Sequence, residues 1–508
     1  MSVIGIDLGT TTSEIAYIKD GKPVIIEDEF SKKIIPSVVG IINDEAKAGT
    51  FAYNNMVIDS KNFTTEFKRY IGDNKTLLKL NNEEFTPLEL SAILLKKLKD
   101  IATDHLGEEI TEAVITVPAN FNSYQRQLTK QAAKLAGLHV ERIINEPTAA
   151  AMAYGIENLD EDAKIMVYDL GGGTFDVTVL EMFYGVLDVK ASRGNNLLGG
   201  GDFDTIIENH LVNTINKIEK INLYNDIKDE DELLKVKSYL KKVAKGAKEE
   251  LSSLESTIID LADLTVINNK PISLELYFTR KEFENLIREL VNKTKETIDE
   301  VLSASNYTKD DIDIVLLIGG STKVPLVKEF IKKLFPGKIK DEINPDEAVA
   351  LGAAVQIGIK TNQISSKDSL IVTDKCNYNL GTSIVKVIGD KEIDDMFDLL
   401  IPVDSNVPCS GKNYYRTSYD GQMSVDIDVY EGYDKFVYNN TKIARFTVNE
   451  IPQAPKGIQQ IGVEFRYNLN GVLEVGAKII STQKLVTEII TNKDIDEITQ
   501  NIKKYITR

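Results

Sequence analysis

Ile6-Asp7-Leu8-Gly9-Thr10-Thr11-Thr12 and Tyr168-Asp169-Leu170-Gly171-Gly172-Gly173-Thr174 are two copies of one pattern. The aspartate, the leucine, the first glycine and the last threonine coincide, and an acidic residue follows two positions later in each copy, Glu14 and Asp176. Apolar runs flank both copies, so each reads as strand, tight turn, strand, and the duplication predicts two related lobes facing one another. Glycine in such a turn admits positive φ and presents no Cβ, so backbone N–H groups can approach anionic oxygen closely. The threonine hydroxyls add donors. An aspartate at the strand end offers hard oxygen to hydrated Mg²⁺, which retains several of its waters. Two such hairpins would clamp a polyphosphate from opposite sides.

Outward from the hairpins, the chain divides by periodicity. Up to about residue 365, short apolar runs alternate with helical patterns, as in an α/β protein. Val114–Val117 reads as a buried strand, and Gln125–Leu135 as a helix stopped at Gly137. Ile314–Ile318 reads as another strand, followed by a helix with Leu326, Val327, Phe330, Ile331 and Leu334 on one face. From about 378 to 490 the period is two. Met423, Val425, Ile427 and Val429 alternate with polar residues, as do Val463, Phe465, Tyr467 and Leu469 before an Asn470-Gly471 turn, a hairpin signal. Asp494–Arg508 then places Ile495, Ile498 and Ile502 on one helical face. Between the two regions, Ile364–Asp374 holds the apolar patch Leu370-Ile371-Val372, readable as an edge strand or as a linker.

The 508 residues predict two or three cores, with 42% hydrophobic and 27% charged residues as in ordinary globular chains. A formal charge of −18 repels phosphate backbones and anionic lipid, so no nucleic acid and no membrane partner is expected. No apolar run is long enough to span a bilayer, and Met1–Leu8 is too short for a signal peptide, which makes the cytoplasm the expected location. Cys376 and Cys409 supply neither a disulfide framework nor a zinc ribbon and read as unpaired thiols. Other phosphate-binding and hydrolase signatures are missing: no G-x-x-x-x-G-K-[ST], no G-x-G-x-x-G after a strand, no serine-hydrolase elbow. His105, His139 and His210 lie near no candidate nucleophile. A third glycine turn, Gly319-Gly320-Ser321-Thr322, suits both a helix N-cap by Ser321 or Thr322 and close approach to a nucleoside.

VIGIDLGTTTSEIAY (3–17), EAVITVPANFNSYQRQ (112–127), RIINEPTAAAMAYG (142–155), VYDLGGGTFDVTVLE (167–181), LGGGDFD (198–204), LLIGGSTKVPLV (316–327) and NPDEAVALGAAVQ (344–356) resemble, in order, the ATPase motifs of the 70-kilodalton heat-shock proteins, the DnaK-like chaperones. DGQMSVDIDVYEG (420–432) and YNLNGVLEVGAK (467–478) resemble their peptide-binding domain more loosely. The resemblance implies an actin-like α/β ATPase domain over 1–366, a linker over 367–376, a β-sandwich peptide-binding domain over 377–490 and a lid helix over 491–508.

By the same resemblance, Gly9, Thr10, Thr11, Thr12 and Gly171, Gly172, Gly173 and Thr174 would hold the phosphates of ATP or ADP. Asp7, Asp169 and Asp176 would hold water-bridged Mg²⁺, with K⁺ nearby. Lys68 would position the attacking water and Glu146 would touch the metal's water shell, so that hydrolysis proceeds by positioning and charge neutralisation. Gly199, Gly200, Gly201, Lys248, Ser252, Gly319, Gly320, Ser321 and Lys323 would complete the nucleotide site. Pro118 and Arg126 would relay nucleotide state to a docking linker. Thr382, Val385, Ser418, Val425 and Ile427 would line a peptide pocket, where burying one aliphatic side chain contributes about 1.5–3 kcal/mol. The implied partners are unfolded or extended polypeptide segments, a J-domain co-chaperone and a nucleotide-exchange factor. The implied function is an ATP-dependent chaperone, with a nucleotide-gated adaptor of little hydrolysis as the alternative; an actin-like metabolite kinase shares only the phosphate hairpins.

Several positions depart from the family pattern. Lys245 stands where an acidic ribose contact is usual, and Lys323 replaces an arginine that stacks on the base, which lysine does without a planar face; weaker nucleotide binding is expected. Asn120 stands where the relay usually has tyrosine. Ser369 and Thr373 interrupt the linker, and Thr382 makes the peptide pocket more polar. The sequence ends at Arg508, where only a first lid helix fits, so fast peptide release is expected even without ATP.

Overall fold

The computed structural model describes residues 3–73, 75–159, 161–340, 343–365, 370–388, 391–489 and 502–506. The repeated pattern in the sequence is a repeated topology in space. In the first lobe, strand Val3–Asp7 pairs antiparallel with Thr12–Lys19 and parallel with Glu112–Val117, which carries His139–Asn145 on its far side. In the second, Ala163–Leu170 pairs antiparallel with Phe175–Phe183 and parallel with Ile314–Ile318, which carries Ile339–Lys340. The middles of the central parallel strands, Ile4–Ile6, Ala113–Ile115, Ile165–Val167 and Val315–Leu317, are apolar because helices cover both faces. Helices Glu146–Gly155 and Ala348–Lys360 meet between the lobes, in a core that includes Ala149, Met152, Ile318, Val349 and Ala353. Each lobe has a further core of its own on the outer side.

The helix after Val114–Val117 begins at Ser123, two residues before the expected start. Asn122 accepts from the Gln125 N–H while the Gln125 side chain returns to the Asn122 N–H, a reciprocal cap that fixes this start. Its end is as read: Leu135, with Gly137 at φ 76°. Strand Ile314–Ile318 and the face formed by Leu326, Val327 and Ile331 are buried as expected. The N-cap reading of the third glycine turn is corrected. Gly320–Lys323 is a 3-10 turn, the following helix starts at Pro325, and no side chain caps it.

The period-two region forms two packed sheets. One orders Lys391–Ile401, Leu380–Ile388, Ser424–Glu431 and Thr441–Asn449; the other orders Cys409–Arg416, Gln460–Tyr467, Leu473–Ile479 and Leu485–Ile489. Val429, Val463, Phe465 and Val475 fill the space between them. The strands are shorter than the alternation: Met423 lies one residue before its strand, Leu469 two residues after its own, and both are exposed. Cys376 and Cys409 are unpaired thiols.

Leu370 is buried between the lobes beside Gly155 and Met182, and Ile371–Lys375 joins the second-lobe sheet parallel to Val186–Asn195, with Asn406–Val407 of the β-region pairing on its other side. The β-region thereby lies against the first lobe. The Asn470 side chain accepts from the Ile143 N–H at 3.1 Å, and the Ser123 hydroxyl accepts from the Leu473 N–H at 2.9 Å. From the second lobe, Arg193 pairs with Asp404 at 2.9 Å. Of the expected lid helix, residues 491–501 and 507–508 lie outside the described residues. The described turn, Lys503–Ile506, packs not on the β-region but on the first lobe: Ile502 and Tyr505 are buried there, Tyr505 lies 5.8 Å from the Phe85 ring, and Lys504 pairs with Glu83 at 2.6 Å.

Candidate functional site

The two hairpin turns meet tip to tip. A Cβ on Gly172 would overlap the Thr11 side chain, and one on Gly173 would come within 2.5 Å of Thr10 Cγ2, so the threonines of one turn occupy space that the glycines of the other leave empty. Behind this contact a cleft of about 540 Å³ opens, lined by Asp7, Gly9, Thr10, Thr11 and Thr12 from one lobe and by Asp169, Gly171, Gly172 and Thr174 from the other. The duplicated segments therefore share one cavity.

Lys68 and Glu146 also line this cleft, both buried, with Lys68 Nζ donating to Glu146 Oε1 at 2.9 Å and to the Leu8 carbonyl. The Phe121 ring lies beneath the ammonium, 5.4 Å from its centroid. Lys68 is delivered by the one-turn 3-10 helix Phe67–Tyr70, and Glu146 by the first turn of the helix that crosses between the lobes. Thr116 Oγ1 donates to Asp7 Oδ1 at 2.8 Å, and Asn120 Nδ2 donates to Asp176 Oδ1 at 2.5 Å.

Carboxylates outnumber cations here, and burial holds their protons on. Burial, then the neighbouring Glu146, pushes Asp7 up to about 7 and Asp176 to about 8. Asp169 is raised well above the usual range by the same causes, with Asp176 and Asp7 adding to them. Glu14, the acidic residue after the first turn, is pushed up to about 10 by burial and then by Asp7, Asp346 and Glu347. A cation is what this donor set lacks. Among the described residues no three acidic, histidine or cysteine side chains converge tightly enough for direct ligation. The residues thus fit a hydrated Mg²⁺ held through water and phosphate oxygen, not a metal caged by protein.

The remaining wall carries the expected nucleoside-side residues. Lys248 pairs with Asp204 at 2.6 Å and donates to the Gly200 carbonyl at 3.1 Å; Ser252 donates to the Lys248 carbonyl at 3.0 Å. Gly319, Gly320 and Ser321 line the cleft, and Ser321 Oγ donates to the Gly171 carbonyl at 2.9 Å. Lys323 is paired with Asp346, and Lys245 lies over the Tyr53 ring at 5.2 Å. Gly173, Gly199, Gly200 and Gly201 stand behind the lining. The N–H groups of Gly200 and Gly201 donate to the carbonyls of Gly171 and Gly172 at 2.9 and 2.8 Å, so these glycines hold the second turn in place rather than presenting free donors. Sequence pattern marks a glycine run but not which carbonyls use its N–H groups.

The site thus joins two facing glycine–threonine hairpins from opposite lobes, a set of buried carboxylates and one buried lysine. The chain matches the family model described as Hsp70 protein over residues 3–507, and it belongs to that family. Members of this family are ATP-binding chaperones that hydrolyse ATP with Mg²⁺.

Pro118 and Arg126, expected from the sequence to act as a relay, lie at the junction with the β-region. Pro118 ends its strand, buried, and its carbonyl accepts from the Phe121 N–H. Arg126, readable from the sequence as a helix-surface cation, is buried: its guanidinium donates to the carbonyls of Phe121 and Ala119 and to Asn145 Oδ1 at 2.6 Å. Gly471 of the β-region lies on its aliphatic stem. Asn145 donates onward to Asp374 of the linker strand at 2.7 Å. Asn120, which stands in the usual place of a tyrosine, touches Asp176 on one side and accepts from the Tyr378 hydroxyl at 2.6 Å on the other. Asn377 donates to the Ala119 carbonyl. Neither Tyr378 nor Asn377 carries a sequence signal, because their importance comes from partners more than 250 residues away.

The five residues expected to line a peptide pocket differ in burial. Ile427 is in the sandwich core and Val425 is half-buried against it. Thr382 is buried, donating to the Asp428 carbonyl at 2.7 Å. Val385 is exposed, and Ser418 bonds to Gln422 in a loop. Beyond Thr382 the strand that carries Val385 leaves its neighbour, since only Leu380, Gly381 and Thr382 pair with Ser424–Glu431.

Proposed function

We propose that this chain is an ATP-hydrolysing chaperone in which the cleft between the hairpins controls a peptide site in the β-region. The observation that carries the reading is the shared cleft itself, with Lys68 and Glu146 buried between two turns that approach from opposite lobes. Bound with the nucleotide, Mg²⁺ would neutralise developing phosphate charge, held through its waters by Asp7, Asp169 and Asp176. Lys68, fixed by Glu146 and the Leu8 carbonyl, orients a water and the terminal phosphoryl group. Thr10, Thr11, Thr12 and Thr174 present donors to the phosphates, and the wall at Lys248, Ser252 and Lys323 faces the nucleoside.

Closure of the cleft reaches the β-region by two routes. One is Asp176–Asn120–Tyr378; the other is Arg126–Asn145–Asp374. The paired linker strand and the buried Leu370 support a docked state for this conformation. In it, the strands Leu380–Ile388 and Ser424–Glu431 splay beyond Thr382, which leaves a strand edge at Val425–Asp428 suited to an added extended segment. Unfolded or extended polypeptide is the substrate this edge suits, and a J-domain co-chaperone and a nucleotide-exchange factor are the partners that belong with the cycle.

The test is ATP turnover with and without an unfolded peptide, in the wild type and in Lys68→Ala. Turnover stimulated by peptide and lost in the variant is expected. Turnover indifferent to every peptide would favour the nucleotide-gated adaptor.

A further inference from the structure

The Lys68 ammonium is held from the first-lobe side, yet the residues flanking it in sequence are held by the second lobe. Glu66 directly precedes the 3-10 helix Phe67–Tyr70 and sits in the left-handed region, at φ 58° and ψ 16°, without being a glycine. Such a backbone persists where the surroundings over-determine it. The Glu66 carboxylate, largely buried, pairs at 2.8 Å with Lys241 of the second-lobe helix Glu230–Ser253. It also lies against the second-lobe backbone: a Cβ on Gly201 would come within 3.1 Å of Glu66 Oε1. On the other flank, Arg69 donates to Asp202 Oδ2 at 2.9 Å, and the same oxygen accepts from the Gly199 N–H at 2.7 Å.

Both flanks of Lys68 therefore end on Gly199–Asp202 or on the helix that carries Lys241. Gly200 and Gly201 of that segment are the residues whose N–H groups brace the second turn through the Gly171 and Gly172 carbonyls. Moving the second turn moves the brace, and the brace moves both flanks. Lys68 itself stays tied to Glu146 and to the Leu8 carbonyl of the first turn. We infer that Glu66 and Arg69 are positioning residues for hydrolysis, which place Lys68 correctly only when the second turn has closed toward the first. ATP held in an open cleft is then bound without being hydrolysed. A misplacement of about 1 Å at such a group costs up to about 10²-fold in rate. The inference rests on the proposed hydrolytic role of Lys68 and adds to it the two pairs that set its position.

The experiment measures single-turnover hydrolysis of bound ATP and, separately, the affinity for ADP with Mg²⁺, in the full-length chain. Lys241→Glu, on the second lobe and away from the phosphates, is expected to slow hydrolysis about tenfold or more while ADP affinity changes less than about twofold. Reversing both charges, Glu66→Lys with Lys241→Glu, should recover most of the rate. Because the pairs act through Lys68, Lys241→Glu should have no further effect in a Lys68→Ala background. Should Lys241→Glu fail to fold, as judged by its melt, Lys241→Met replaces it, and Arg69→Gln tests the other flank. Unchanged hydrolysis in the variants of both flanks overturns the inference and leaves the hydrolytic role of Lys68 standing. An equal loss with and without Lys68 overturns it too, as does a fall in ADP affinity by the same factor as the rate, since either marks a merely structural pair. A wild type that hydrolyses no ATP, or that loses nothing in Lys68→Ala, removes the proposed function and this inference together.

Discussion

In the first hairpin three threonines follow Gly9; in the second, three glycines precede Thr174. The backbone plan is shared, and so is the register that sets Asp7 opposite Glu14 and Asp169 opposite Asp176. The turn chemistry is divided between them. Thr10 and Thr11 carry the bulk and the hydroxyls, and Gly172 and Gly173 make room for both. The cation is divided too: Lys68 comes from the first lobe alone and binds the first turn through the Leu8 carbonyl. Duplication has produced complementary halves rather than equivalent ones, which is how two turns from one ancestral plan close on one ligand without colliding.

Removing the one-sided cation should have the largest effect. Lys68→Ala leaves Glu146 buried without its partner and removes the group that orients the terminal phosphoryl, so single-turnover hydrolysis should fall about 10²- to 10³-fold. A loss below tenfold would mean that the lobes share the work more evenly than their composition says.

The fit between the turns comes next. Gly172→Ala should force the turns apart at a cost of about 1–3 kcal/mol, read as a loss of nucleotide affinity of about fivefold or more by calorimetry. Gly171→Ala should be nearly silent, because its nearest neighbour, the Thr174 carbonyl, would lie at an ordinary 3.6 Å. Adding Thr11→Ala to Gly172→Ala should recover part of the loss. If it does not, the interlock is not what holds the turns together.

The lobes also differ in what they offer the β-region, and two smaller effects sharpen that contrast. Glu431, at the end of its strand, is raised to about 8 by burial, against the pull of Asn122, Ser123 and Arg126 of the first lobe. A carboxyl raised in the docked state binds its proton more tightly there than when free. Docking is therefore strongest below about 4.5, the ordinary range, and weakens as pH rises through about 8. A fluorophore pair spanning the linker should report less docking at pH 9 than at pH 6, and a flat profile in Glu431→Gln. Smallest is Tyr378→Phe, which removes one hydrogen bond to the first lobe and should shift the docked fraction by about 1 kcal/mol, roughly fivefold in the docking ratio.

Much of the fold was legible because its signals are local. Strand Ile314–Ile318, the stop at Gly137 and the Asn470-Gly471 turn are set by side-chain period and turn chemistry within a few residues. The third glycine turn was misread because Ser321 and Thr322 suit an N-cap, while in the folded chain Ser321 is taken by the Gly171 carbonyl of another hairpin. Arg126 carries no local sign of burial, since its partners belong to a loop, the next strand and the β-region. That Leu380–Ile388 leaves its neighbour after three pairs is a matter of sheet geometry that alternation does not encode.

By itself the sequence determined the duplicated hairpins, their acidic and hydroxyl donors, and the change of period that separates an α/β region from a β-region. Those follow from residue type and spacing along the chain. Only the tertiary structure decided that Glu14 is buried with its Oε2 unpartnered, that Gly200 and Gly201 brace the second turn, and that Asn120 meets Tyr378 between the lobes and the β-region. Desolvation and hydrogen bonding depend on what arrives from distant parts of the chain, and folding alone brings those parts together.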